Sequence, residues 1–269
     1  MPIRVNETEL YYEKAGSGEP LVLVHGSWVD HSSWALVAPS LAEDFRVITY
    51  DRRGHSRSER VSSQGSVHED AADLAALLEA LDAAPAHVVT SSFGGVIAMR
   101  LAVSRPELIR TLTMHEPPAL DLLTADPESA SLLELTGQRI GAVAAKVKAG
   151  DHEGAARQFV EEVALGPGAW ETQVPPQTRE IFIRNAPTFL DEVRDPDPGV
   201  DLDGLASFSR PTLVSDGTES PPVFPKIVGI LADTIPGAQR TTYDGASHAP
   251  HLTHPEELVA QVRALSSTG

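Results

Sequence analysis

Ser92 stands between a strand-like run, His87-Val88-Val89-Thr90, and the pair Gly94-Gly95, beyond which Val96-Ile97-Ala98 suits a helix. The order reads as a strand, a sharp turn and a helix, with the serine at the turn. Such a nucleophile elbow lifts a hydroxyl out at the carboxyl end of a sheet, at the positive end of a helix. A serine hydroxyl is a poor nucleophile at neutral pH; it needs a base within hydrogen-bond reach, and the base needs an orienting acid. His248 is the best base, because it follows Gly245-Ala246-Ser247 in a loop of small residues after the last strand-like segment. His251 and His254 follow at short spacing. No acidic third ligand is spaced with them, and His254 before Pro255 reads as a helix entry, so no metal site is expected.

The elements that must position these groups follow from the apolar pattern. Residues 3–14 alternate around Asn6-Glu7 and read as an edge hairpin. Residues 20–24 and 46–50 are strands, and the first is apolar without alternation, as in a strand covered on both faces. Residues 33–43 read as a helix. Leu74, Leu77, Leu78 and Leu81 fall at helical spacing within 67–81. Residues 86–90 are the elbow strand, 92–104 its helix, and 108–114 the next strand. Strands alternating with helices imply a parallel sheet with helices on both faces. From 120 to 208 the pattern is helical only (130–148, 153–163, 176–185 and 187–193), punctuated by Pro and Gly. The α/β pattern then resumes with a strand at 211–215, a helix at 224–231, a strand at 239–243 and a final helix from 255 to about 265.

With 269 residues the chain can bury a sizeable core. Its formal net charge of −17 argues against nucleic-acid and acidic-membrane partners. It has no cysteine, which excludes disulfides, zinc-thiolate sites and cysteine nucleophiles. The first residues lack the apolar run of a signal peptide, and no segment approaches membrane-spanning length, so a cytoplasmic enzyme is the default.

Four segments, in order and with the right elements between them, resemble the α/β-hydrolase superfamily over essentially the whole chain. They are His25-Gly26-Ser27-Trp28, Asp51-Arg52-Arg53-Gly54-His55-Ser56, Ser92-Phe93-Gly94-Gly95, and Gly245-Ala246-Ser247-His248 before a final helix. The resemblance implies an α/β fold: a mostly parallel eight-stranded sheet with helices on both faces and an inserted helical cap. Residues 1–118 and 209–269 would form the core and 119–208 the cap. It also implies that the backbone amides of Ser27 and Phe93 form the oxyanion hole. Asp51-Arg52-Arg53-Gly54 is expected to shape a turn through side-chain hydrogen bonds.

The chain departs from the family pattern at the acid. Many members carry an aspartate three residues after the glycine that ends the strand before the histidine loop. Here that glycine is Gly217 and the position holds Ser220. Glu116, Glu219 and Asp216 are the substitutes, in that order of preference. Glu116 ends the strand beside the elbow strand, where certain lactone hydrolases are similar. A second departure is Thr90, where glycine is usual; threonine is expected to be tolerated. Ser91, where histidine is often seen, reads as a plain turn serine.

The expected activity is hydrolysis of a carboxylic ester or lactone of an apolar or aromatic small molecule, through an acyl-enzyme and without a cofactor. The expected catalytic residues are Ser92, His248 and Glu116. Trp28, Trp170, Leu132, Phe189 and Leu252 are the candidate substrate contacts, with Leu133, Ile140, Phe159, Val160 and Phe182 as further apolar candidates. The oligomeric state is open, and a homodimer is compatible. A carbon–carbon bond hydrolase and a cofactor-free perhydrolase would share these residues. A ligand-binding receptor on the same fold, with an idle site, is the rival from another class.

Overall fold

A computed structural model describes residues 1–60 and 65–269. Eight strands form one sheet: β1 (Pro2–Val5), β2 (Thr8–Ala15), β3 (Glu19–Val24), β4 (Phe45–Tyr50), β5 (Ala86–Ser91), β6 (Ile109–His115), β7 (Thr212–Gly217) and β8 (Gln239–Tyr243). Their spatial order is β1-β2-β4-β3-β5-β6-β7-β8. The pairs β1–β2 and β2–β4 are antiparallel and all the others are parallel. This is the sheet expected from the alternating pattern, with the hairpin at its edge.

The helices in chain order are α1 (Ala38–Leu41), α2 (Val67–Ala80), α3 (Phe93–Ser104), α4 (Ala130–Lys148), α5 (His152–Gln158), α6 (Ala169–Thr172), α7 (Pro176–Asn185), α8 (Phe189–Val193), α9 (Leu202–Ala206), α10 (Val223–Thr234), α11 (Pro250–Thr253) and α12 (Pro255–Ser266). Side-chain alternation along the central strands sends Val22, Val24, Ile48 and Val88 to one core, shared with α2, α3 and α10. Leu21, Leu23, Val47 and Val89 go to a second core, shared with Trp34, Leu41 and α12. A third apolar cluster joins Trp28 to the helices inserted between β6 and β7. Among the described residues no helix is long and apolar enough to cross a membrane.

The helix expected over 33–43 is replaced by two short turns. A 3₁₀ turn at His31–Trp34 is capped by the Asp30 side chain, which accepts from Ser32 N at 2.9 Å. The helix restarts at α1, where Pro39 occupies the first turn. A proline there lacks the N–H that would continue a helix from residue 35, so the chain breaks and begins again. In the insertion α4 and α7 run over the expected residues, and α5 continues into a π-helical turn at Phe159–Ala164.

Candidate active site

Ser92 has φ 53° and ψ −127°, an uncommon conformation for a residue with a side chain. Such strain costs on the order of 1–3 kcal/mol and persists only where the surroundings impose it. Here Ser92 N donates to His115 O at 2.9 Å, and Gly95 N donates to Ser92 O at 2.8 Å. The turn is tight enough that a Cβ on Gly26 would lie 2.8 Å from Ser92 Cβ. A Cβ on Gly95 would lie 2.8 Å from Pro117 Cβ and 3.3 Å from Thr90 Oγ1. Thr90 is therefore accommodated because the helix residue facing it has no side chain, and its hydroxyl donates to Thr113 O at 3.3 Å.

Glu116 follows β6 with φ 44° and is fully buried. Its Oε1 accepts from Gly217 N at 2.9 Å, and its Oε2 lies 2.6 Å from His248 Nδ1. Burial pushes this carboxyl up. The hydrogen bond from His248, the neighbouring histidines and the Ser220 hydroxyl more than offset it, and Glu116 is held below the usual carboxylate range. The Phe224 ring stacks on His248 at 4.4 Å. Of the other carboxylates considered, Asp216 is turned to Arg240 at 2.5 Å and Glu219 is solvent-exposed. Ser220, at the family's usual acid position, is near Glu116 instead of carrying a charge itself. His254 is bound to Thr253 Oγ1 and Asp244 O, and His251 is buried apart from it against Trp34.

Two cavities meet at Ser92, Ser27 and His248. One, of about 140 Å³, runs past Ser91, Val160, Phe182, His251 and Leu252. The other, of about 330 Å³, runs past Phe93, Ile140, Phe189, Glu192 and Phe224. Phe159 lines both. The expected contacts Phe189 and Leu252 thus reach a cavity wall. Trp28, Trp170 and Leu132 do not, which corrects that expectation. Trp28 is fully buried and stacks on Phe159 at 5.0 Å and Phe182 at 6.3 Å. Trp170 lies in the single turn α6, 1% exposed and edge-on to Phe182. Leu132 and Leu133 pack against the main core. Large aromatics beside other aromatics lose more by staying wet than by packing together, so these side chains build the insertion's own core.

The turn after β4 does more than shape itself. Asp51 accepts from His31 N and Arg57 N as expected. Arg52, however, is 2% exposed and fully engaged. It donates to Asp70 twice at 3.2 Å, to Gly26 O at 3.3 Å and to Glu192 Oε1 at 3.0 Å. Glu192 comes from α8 of the insertion, and its Oε2 accepts from Ser27 Oγ at 2.6 Å. Asn185 also ties the insertion to the core, donating to Trp28 O at 3.2 Å and Val29 O at 3.0 Å. Sequence reading missed Glu192, Asn185 and Phe224, which lie in no local motif, and gave Arg52 a turn-shaping role without its reach to Asp70 and Glu192.

Burial holds His25 and His115 down to about 4 and His251 to about 3. All three are neutral in the folded chain at neutral pH, whereas unfolded histidine titrates near 6.5. Between about pH 6.5 and 4 the unfolded chain binds more protons, so stability falls as pH falls through that window. The urea midpoint is expected to drop between pH 7 and pH 5, by roughly 2 kcal/mol per such histidine in stability. His115→Gln should flatten the dependence. A midpoint unchanged over this range would contradict the neutral burial of these rings. Glu116, with its lowered pKa, adds its own loss only at lower pH still.

The chain belongs to the α/β-hydrolase fold family, whose model matches residues 19–255. It is 38% identical over 125 residues to an uncharacterized hydrolase, YraK, of Bacillus subtilis, covering 45% of each chain. It is 28% identical to the pimeloyl-[acyl-carrier protein] methyl ester esterase of Aeromonas salmonicida, over 93% of this chain and 96% of that one. The solved structure of an α/β hydrolase from Sphaerobacter thermophilus superposes with a TM-score of 0.77 at 30% identity, over 97% of this chain and 99% of that one. The matches to the first curated relatives span less than half of those proteins' length.

Proposed function

We propose that the protein is a serine hydrolase of uncharged carboxylic esters or lactones. The observation that carries this reading is the 2.6 Å contact between His248 Nδ1 and buried Glu116, at the wall of cavities into which the strained Ser92 turn opens. Glu116 fixes the His248 tautomer with Nε2 free to accept a proton. Ser92 Oγ attacks the ester carbonyl, and its proton passes to His248. The amides of Ser27 and Phe93 stabilise the oxyanion, and the N-terminus of α3 adds its positive end. Collapse of the tetrahedral intermediate expels the alcohol, which takes the proton from His248. Water, deprotonated by His248, then releases the acid and regenerates Ser92.

The charge and shape of the cavities narrow the substrate. Neither wall carries a lysine or arginine among the described residues, while Asp121, Glu192 and Asp195 line the larger one. A carboxylate on the substrate would be desolvated there with no cation to meet it. This disfavours a carbon–carbon bond hydrolase acting on an anionic diketone. Two apolar cavities meeting at Ser92 suit an ester whose acyl and alcohol parts lie on opposite sides of the scissile bond; the helices between β6 and β7 would serve as the cap.

A neutral p-nitrophenyl alkylphosphonate tests the mechanism. It is expected to label the Ser92 peptide with one equivalent of p-nitrophenol released. In a panel of aryl esters, neutral acyl chains should exceed matched ω-carboxylates at least about tenfold in kcat/KM. No labelling, together with tight binding of esters without turnover, would favour the receptor-like reading instead.

A further inference from the structure

The polar groups behind Ser27 form a closed circuit that the proposed chemistry does not by itself require. The Gly26–Ser27 peptide is one rigid plane, with the Gly26 carbonyl at one end and the Ser27 N–H at the other. The carbonyl is held by Arg52 Nη1 at 3.3 Å and by His25 Nδ1 at 2.8 Å. His25 Nε2 accepts from Arg52 N at 3.0 Å, so the imidazole proton sits on Nδ1 and the ring donates to Gly26 O. On the far side of the same peptide, Ser27 Oγ donates to Glu192, and Glu192 is itself held by Arg52. The Arg52 guanidinium also lies 4.7 Å over the ring of Phe93, whose amide is the second proposed donor.

The charges explain why a carboxylate is tolerated this close to a developing oxyanion. The Glu192 side chain is 7% exposed and that of Arg52 is 2% exposed, so water screens neither charge well and each is offset chiefly by the other. Arg52 offsets the negative charge, and donation to the Gly26 carbonyl polarises the peptide so that its N–H becomes the stronger donor. The circuit runs from the loop after β3, through the turn after β4, to α8 of the insertion.

We infer that Arg52 and Glu192 are positioning residues for the oxyanion hole, and that because Glu192 is carried by the insertion, the hole takes its working geometry only while the insertion is seated on the core. This rests on the serine-hydrolase reading above. Removing the Glu192–Ser27 hydrogen bond should loosen a donor needed most in the transition state, so the loss belongs in kcat and spares KM.

The test uses Ser27→Ala, Glu192→Ala, their double variant and Glu192→Gln, with p-nitrophenyl butyrate as substrate and an alkyl boronic acid as a tetrahedral adduct-forming inhibitor. Ser27→Ala keeps the backbone N–H and leaves Glu192 paired with Arg52, so it remains informative if Glu192→Ala does not fold. Each alanine variant is expected to lower kcat about tenfold with KM within about twofold, and to weaken the boronic acid by the same factor. The double variant should be no slower than Glu192→Ala alone, because that variant has already lost the Ser27–Glu192 hydrogen bond together with the Arg52 contact. Glu192→Gln, whose oxygen can keep accepting from Arg52 while its NH₂ donates to the Ser27 hydroxyl, should recover most of the rate. Unchanged kcat, losses confined to KM, or losses that multiply would overturn the inference. Wild-type turnover of the ester, abolished by Ser92→Ala, separates the two claims: if it is missing both fail, and if it is present with unaffected variants only the positioning role fails.

Discussion

Ser92→Ala is expected to abolish turnover of short aryl esters, with a loss in kcat of roughly 10⁴-fold or more and little change in thermal stability. The size follows from removing the atom that forms the covalent bond. What remains is water attacking a carbonyl polarised by the hole, which in such sites gives only residual catalysis. Stability should hold, and could rise slightly, because φ 53° is strained for serine and alanine alike while the hydroxyl has no partner that the fold depends on. Stopped-flow or steady-state release of p-nitrophenol measures the rate, and differential scanning fluorimetry the fold. Full activity in a folded Ser92→Ala variant would sink the covalent mechanism.

The second large effect is expected at Glu116. Each carboxylate oxygen is committed: Oε1 accepts from Gly217 N at 2.9 Å and Oε2 faces His248 Nδ1 at 2.6 Å. Glutamine has one acceptor for two donors. If its oxygen stays on Gly217, its NH₂ turns to His248 and forces the proton onto Nε2, the wrong tautomer for a base. If its oxygen turns to His248, a buried NH₂ meets the Gly217 N–H. Glu116→Gln is therefore expected to lower kcat by about 10³-fold or more. Glu219→Gln should stay within about twofold, since Glu219 is exposed and its backbone N–H, which donates to Ala246 O, is untouched. The reverse ranking would move the acid to the loop after β7.

Much of this arrangement was legible because it is local. The turn at Ser92 is written in residues 87–98, and the histidine loop in residues 245–248. Glu116 could be chosen over Glu219 and Asp216 from its place at the end of the strand next to the elbow, and the structure brings that carboxylate, not the other two, to His248. Long-range pairing was not legible. Arg52 and Glu192 are 140 residues apart and meet because α8 folds over the turn after β4, which no periodicity encodes. Trp28 and Trp170 were misassigned for a related reason. An aromatic near a site and an aromatic in a core have the same local sequence, and only the packing of α5, α7 and α8 decides between them. The split of residues 31–41 shows the opposite failure, in which a single proline outweighed an otherwise helical composition.

Ser92 directly follows β5 and Glu116 directly follows β6, adjacent parallel strands joined by α3. The proposed nucleophile and acid are thus carried on one contiguous βαβ block, bounded by Ala86 and Glu116, while the histidine arrives from the far end of the chain. For gene recombination this changes what is inherited together. A breakpoint anywhere in the insertion leaves serine and acid on the first fragment, and the second need bring only His248 and a loop that fits behind it. In relatives whose acid follows β7, the same crossover would exchange acid and base as a pair. With Glu116 as the proposed acid, the carboxylate that must match the histidine stays with the first fragment in such an exchange.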